Sequence, residues 1–131
     1  NENFLNNIKL FYKKKIIICD RFIDSTIAYQ GYGFGININF INKINNYILG
    51  NIKPDYTFLM QINIKESFKR LSKRRGLNKY DKFKKEFYEK TQKGFLKLAK
   101  RKSTKYKIIN SLNSLKKNQL IVYNKFLNLI K

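Results

Sequence analysis

An α/β fold built on a parallel sheet is what this sequence predicts, and three observations predict it. Short apolar runs rich in β-branched or aromatic residues recur at positions 16–19, 56–62 and 106–109, as buried strands require. Stretches with apolar residues at helical spacing lie before, between and after these runs. Strands alternating with helices in this rhythm favour a parallel sheet with crossover connections. No Pro/Ser-rich linker and no internal repeat divides the 131 residues, so we expect a single domain over residues 1–131.

Composition narrows the function classes. A hydrophobic fraction of 43% with 15% aromatic residues supplies enough apolar surface to offset the entropy of ordering a globular chain. No apolar run approaches the roughly 18 residues a membrane span needs, and the mostly polar first ten residues do not read as a secretory signal. Cys19 is the only cysteine, so no internal disulfide is expected; its place in an apolar run reads as a small buried hydrophobe, and a cytoplasmic location fits.

The formal charge of +21 invites a nucleic-acid partner. The chain, however, holds 24 Lys against 5 Arg, with 18 Ile and 17 Asn, a drift that makes most lysines solvated surface and a nucleic-acid partner unexpected. Against that background the arginines at 21, 70, 74, 75 and 101 mark positions that need a planar fork. With no histidine, histidine-dependent triads are excluded, and eight acids leave few general acid/base pairs. Phosphoryl transfer needs neither, because positioning, Mg²⁺ and cations carry most of its catalysis.

In chain order, residues 3–13 place Phe4, Leu5, Ile8, Phe11 and Tyr12 on one helical face, followed by the basic run Lys13-Lys14-Lys15. The strand at 16–19 ends at Asp20-Arg21. Ligands of open α/β sheets bind just beyond strand carboxyl ends, where a carboxylate can hold hydrated Mg²⁺ and a guanidinium can grip a phosphate. Asp24 or Ser25 can cap the next helix, which carries Thr26, Ala28, Tyr29 and Gln30 and stops at Gly31, Gly33 and Gly35. Residues 31–35 match neither a Walker A loop nor a dinucleotide fingerprint and read as a flexible loop.

A helix over 40–49 aligns Phe40, Ile41, Ile44, Tyr47 and Ile48 and ends at Gly50. Pro54 sets an extended entry into the strand at 56–62. A helix over 64–75 turns Phe68 and Leu71 inward. Its basic end, Arg70 to Gly76, reads either as a charge-dressed C-cap or as a lid that runs through residue 82. A long helix over 83–99 carries Phe83, Phe87, Tyr88, Thr91, Phe95, Leu98 and Ala99 as core, and a terminal helix covers 112–130.

The succession Asp20-Arg21-Phe22, Ser25-Thr26 and Ala28-Tyr29-Gln30-Gly31 resembles the acceptor site of thymidylate kinases, where Asp-Arg-aromatic precedes Ser-x-x-Ala-Tyr-Gln-Gly. The resemblance extends through Lys53-Pro54-Asp55, the arginines from 70 to 75, and Gly94-Phe95-Leu96-Lys97-Leu98-Ala99. It implies a P-loop NTPase-like three-layer αβα fold and ATP-dependent, Mg²⁺-assisted phosphorylation of dTMP to dTDP.

By the same resemblance Arg21 binds the acceptor phosphate, and Asp20 holds Mg²⁺ through water and orients Arg21. Thr26 and Gln30 hydrogen-bond the pyrimidine, and Tyr29 packs on the sugar. Arg70, Arg74 and Arg75 form a lid on the donor phosphates. Ser25 is expected as a helix cap. Phe22 stands where the family usually has Tyr or His, and Phe34 and Lys79 where it has arginines. Relatives dimerise, which implies a homodimer for the whole protein.

Nowhere does the sequence contain Gly-x-x-x-x-Gly-Lys-Ser/Thr, the donor-phosphate loop. In the family that loop precedes the Asp-Arg pair, and its strand lies between those at 16–19 and 56–62. The chain therefore reads as the C-terminal two-thirds of such a kinase, with an incomplete sheet, weak donor binding and no activity alone. The alternatives are a basic nucleic-acid-binding domain and another P-loop nucleoside or nucleotide kinase.

Overall fold

Pro54 and Asn63 bracket the first strand for different reasons: proline holds the chain extended as it enters, and the Asn63 side chain accepts the Glu66 N–H at 2.8 Å, capping the helix that follows. The computed structural model describes residues 8–50, 52–73 and 83–130. In chain order these form α1 (Lys9–Phe11), α2 (Ile23–Thr26), a π-helical segment (Ile27–Gly33), α3 (Ile38–Leu49), β1 (Thr57–Gln61), α4 (Ile64–Ser72), α5 (Lys85–Arg101), a 3₁₀ turn (Ser103–Lys105), β2 (Tyr106–Asn110) and α6 (Leu115–Leu129).

β1 and β2 are parallel, paired from Thr57 opposite Tyr106 to Gln61 opposite Asn110, with α4 and α5 in the connection. The Ser111 N–H continues the ladder to the Gln61 carbonyl at 2.7 Å. Beyond it, buried Asn118 of α6 donates to the Asn110 carbonyl at 3.0 Å and accepts from Asn113, fixing α6 against the sheet's end.

The π segment packs closely against α5. Glycine makes the contact close: a Cβ on Gly94 would lie 2.5 Å from the Tyr32 ring, and one on Gly33 would lie 2.6 Å from Phe87. Around this crossing Ile27, Ile41 and Leu98 form a buried cluster with Tyr32 and Ile38 against it. Ala28, Phe87, Ala99, Tyr106 and Ile109 are buried as well, with Ile109 of β2 at 2% exposure.

Several expectations are corrected here. Residues 16–19 are extended but join no strand among the described residues, and Ile16 and Ile18 are 63% and 87% exposed. A strand leaves its backbone donors and acceptors to its neighbours, and none of the described strands lies beside this one. Cys19 is accordingly exposed, not buried. The start of α2 has Phe22 at its cap position with no side-chain cap bond; Asp24 and Ser25 lie inside the helix, so neither is its cap.

Residues 31–33 are not loop. They continue a widened helix in which the Phe34 N–H reaches the Tyr29 carbonyl, five residues back, at 3.0 Å. The true cap of α3 is Asn37, which accepts from the Asn39 and Phe40 amides, so this helix starts two residues before the predicted start. Of the α3 stripe Ile41 is buried, whereas Phe40, Ile44 and Tyr47 are exposed. Of the predicted first helix, residues 3–7 lie outside the described residues; among the described ones Ile8 has helical backbone angles and α1 follows it.

Candidate functional site

Arg21 follows the extended segment and turns the chain into α2 with φ of +65°, a left-handed conformation that a side chain beyond glycine rarely adopts. That turn brings its guanidinium over the Tyr29 ring, 5.3 Å from the centroid, a cation–π distance. Tyr29 is itself held by α5, with its centroid 6.0 Å from both Phe87 and Phe95. All of Ala28-Tyr29-Gln30-Gly31 lies in the π segment, a widened geometry found frequently at functional sites. Asp20 and Thr26 are exposed and Gln30 is half-buried; no ion pair links Asp20 to Arg21 among the described residues.

Beyond the carboxyl end of β1 a cavity of about 130 Å³ opens between the π segment, α4 and α5. Tyr29, Gln61, Ile62, Ser67, Thr91, Gln92 and Phe95 are among its lining. The Gln92 side-chain amide donates to the Ile62 carbonyl, and the buried Thr91 hydroxyl has no hydrogen-bond partner among the described residues. The cavity is smaller than the roughly 300 Å³ at which small-molecule sites begin.

The basic segment behaves differently from the Arg21 turn. Arg70 donates to the Ser111 carbonyl at 3.0 Å, next to the end of β2. Arg74, Arg75 and Lys79, with most of the proposed lid at 70–82, lie outside the described residues. Phe34, standing where an arginine was expected, joins a ring stack instead, 4.8 Å from Phe87 and 5.3 Å from Phe83.

The expected cap residue Asp24 has a different part, which its spacing did not reveal. Asp24 is buried at the start of α2, accepts the Tyr106 hydroxyl, and pairs with Lys102 Nζ at 3.3 Å. Burial first, and then the bond to and charge of Asp24, push the Tyr106 phenol well above its usual range, while the Thr57 hydroxyl pulls the other way. A usable signal existed: in a chain with eight acids, a carboxylate four positions after Asp20 in an apolar helix is unusual.

Among the described residues no group of three or more His, Cys, Asp or Glu could gather around a metal, and no helix is long and apolar enough to cross a membrane. Parallel strands joined through helices, with polar and charged groups gathered beyond the strand ends, make the chain an α/β protein of the P-loop NTPase fold. Its architecture matches the crystal structure of thymidylate kinase from Ehrlichia chaffeensis with a TM-score of 0.73 and 32% identity, covering 96% of this chain and 59% of that one. Residues 2–120 match the family model described as thymidylate kinase.

The chain belongs to the thymidylate kinase family. A relative named thymidylate kinase from Wolbachia pipientis wMel is 39% identical over 117 residues, 88% of this chain and 56% of the relative. Another, from Ehrlichia chaffeensis, is 45% identical over 101 residues, 76% of this chain and 48% of that protein. The chain thus spans about half the length of the curated relatives it matches.

Proposed function

We propose that this chain carries the acceptor half of a dTMP kinase, the part that receives the nucleoside monophosphate, and that the donor half lies in sequence it does not contain. The observation that carries this reading is Arg21, which stands directly after Asp20 at the end of an extended segment, with its fork over Tyr29. A guanidinium there can take two phosphate oxygens at once. The Tyr29 ring offers a flat face to a sugar, and Thr26 and Gln30 offer hydrogen bonds to a pyrimidine.

Mg²⁺ usually keeps several waters and takes one or two carboxylates along with substrate phosphates, so a lone Asp20 fits it through water and not as a full cage. When bound, the ion would screen the charge of the transferring phosphoryl group. ATP finds less here. The Gly-Lys-Ser/Thr loop is absent from the sequence, and its phosphates would meet only Arg70, Arg74 and Arg75 from the lid. The chain alone is therefore expected to bind dTMP without transferring phosphate. In the whole protein, cytoplasmic and serving dTTP synthesis, the exposed apolar stripe Phe40, Ile44 and Tyr47 on α3 suits a homodimer, since α3 holds only one charged residue, Lys43.

Titration calorimetry with dTMP, dCMP, dAMP and TMP bearing a ribose tests the reading. Saturable binding that prefers dTMP and falls more than tenfold in Arg21→Ala supports it. Equal affinity for every monophosphate, or binding indifferent to Arg21, removes it.

A further inference from the structure

We infer that Asp24 is a positioning residue for Arg21, and that the buried tie from Asp24 to Tyr106 and Lys102 holds the acceptor-side guanidinium in place. The left-handed turn at Arg21 is costly for a residue with a Cβ and persists only where its surroundings over-determine it. The usual local support is missing, because the cap position of α2 is Phe22, whose side chain makes no cap bond. Three residues after Arg21, however, the Asp24 carboxylate is fastened from two directions: the Tyr106 hydroxyl at the start of β2 and the Lys102 ammonium just past α5 both donate to it.

These partners lie 78 and 82 residues away in sequence, so the tie anchors the beginning of α2 to the sheet and to the long helix. The same long helix holds the Tyr29 ring through Phe87 and Phe95. Arg21 and the ring beneath it are therefore referenced to one frame, and Asp24 is the link on the arginine's side.

The consequence for phosphate binding rests on the function proposed above; the geometric claim does not. Arg21 side-chain protons over the Tyr29 face are expected upfield of their free-chain NMR positions. In Tyr106→Phe and Asp24→Ala that displacement is expected to collapse, while Asp24→Asn, which still accepts the Tyr106 hydroxyl, retains most of it. Tyr106→Phe removes a single oxygen and keeps the assay usable if Asp24→Ala does not fold. Unchanged Arg21 resonances in folded Tyr106→Phe overturn the inference.

A second readout uses dTMP. Tyr106→Phe is expected to weaken binding about tenfold, the scale of one lost backbone constraint, and to have no further effect in an Arg21→Ala background. Equal loss in both backgrounds shows general damage and overturns positioning. If the parent chain binds no dTMP, the kinase reading falls, and the resonances still decide the role of Asp24.

Discussion

Residues 16–19 and the helical turn that begins at Ile23 are separated by three residues, yet one joins no described strand and the other is fastened on several sides. The extended segment exposes Ile16, Ile18 and Cys19 and joins no strand among the described residues. The helical unit buries Asp24, Ile27 and Ala28, packs through Gly33 and Gly94 against α5, and closes its backbone hydrogen bonds within itself. A helix carries its own partners, whereas a strand is only as stable as the neighbours it is given. The left-handed turn at Arg21 sits on the boundary between these two regimes.

The contrast is tested most severely in the core. Leu98→Ala, at the buried cluster with Ile27 and Ile41, is expected to cost about 2–5 kcal/mol in urea unfolding, whereas Ile18→Ala should change stability by less than about 0.5 kcal/mol. Similar losses for both would mean that the extended segment is packed in solution. Gly94→Ala comes next. Its new methyl must displace the Tyr32 ring, and overpacking of this kind costs about 1–3 kcal/mol. A neutral result would show that the crossing of the π segment and α5 yields easily.

A smaller effect belongs to pH. The Tyr106 phenol is held neutral in the folded chain above the pH, near 10, at which an unfolded tyrosine ionises. Between that pH and the raised folded value the native state binds more protons than the unfolded one, so its stability falls as pH rises, by up to about 1.4 kcal/mol per unit. Below pH 10 the contribution is fully present. Other tyrosines and the lysines titrate in the same window, so the measurement is a difference: unfolding free energies of the parent and of Tyr106→Phe should converge between pH 9.5 and 11. Parallel curves would separate Tyr106 from the buried tie.

Much of this was legible beforehand, and what was not has a physical pattern. The runs around β1 and β2 and the apolar period of α5 depend on neighbours within the described residues, and they stand close to their predicted bounds. The run at 16–19 had equally strong strand chemistry, but burial is a property of a sheet and not of four residues. The widened helix over Ile27–Gly33 was hidden because three glycines in five positions imitate a loop; Gly33 serves instead to let Phe87 and Thr91 approach. Asp24 was read as a cap because aspartate near a helix start usually is one, and only the fold brings Tyr106 and Lys102 to it.

Cys19 turns the contrast into a direct measurement with the smallest expected energetic effect. Its thiol is exposed in the segment that joins no strand among the described residues, one residue before Asp20. Alkylation by iodoacetamide should therefore proceed in native buffer within about threefold of its rate in urea, and the alkylated chain should unfold within about 0.5 kcal/mol of the parent, as for a surface substitution. Native protection of a hundredfold or more would mean that residues 16–19 are paired in solution and that the two regions are not distinct. In a longer kinase chain whose further strand lies beside this segment, the same thiol is expected to become protected, because the added strand would close the ladder and cover Ile18 together with its neighbour.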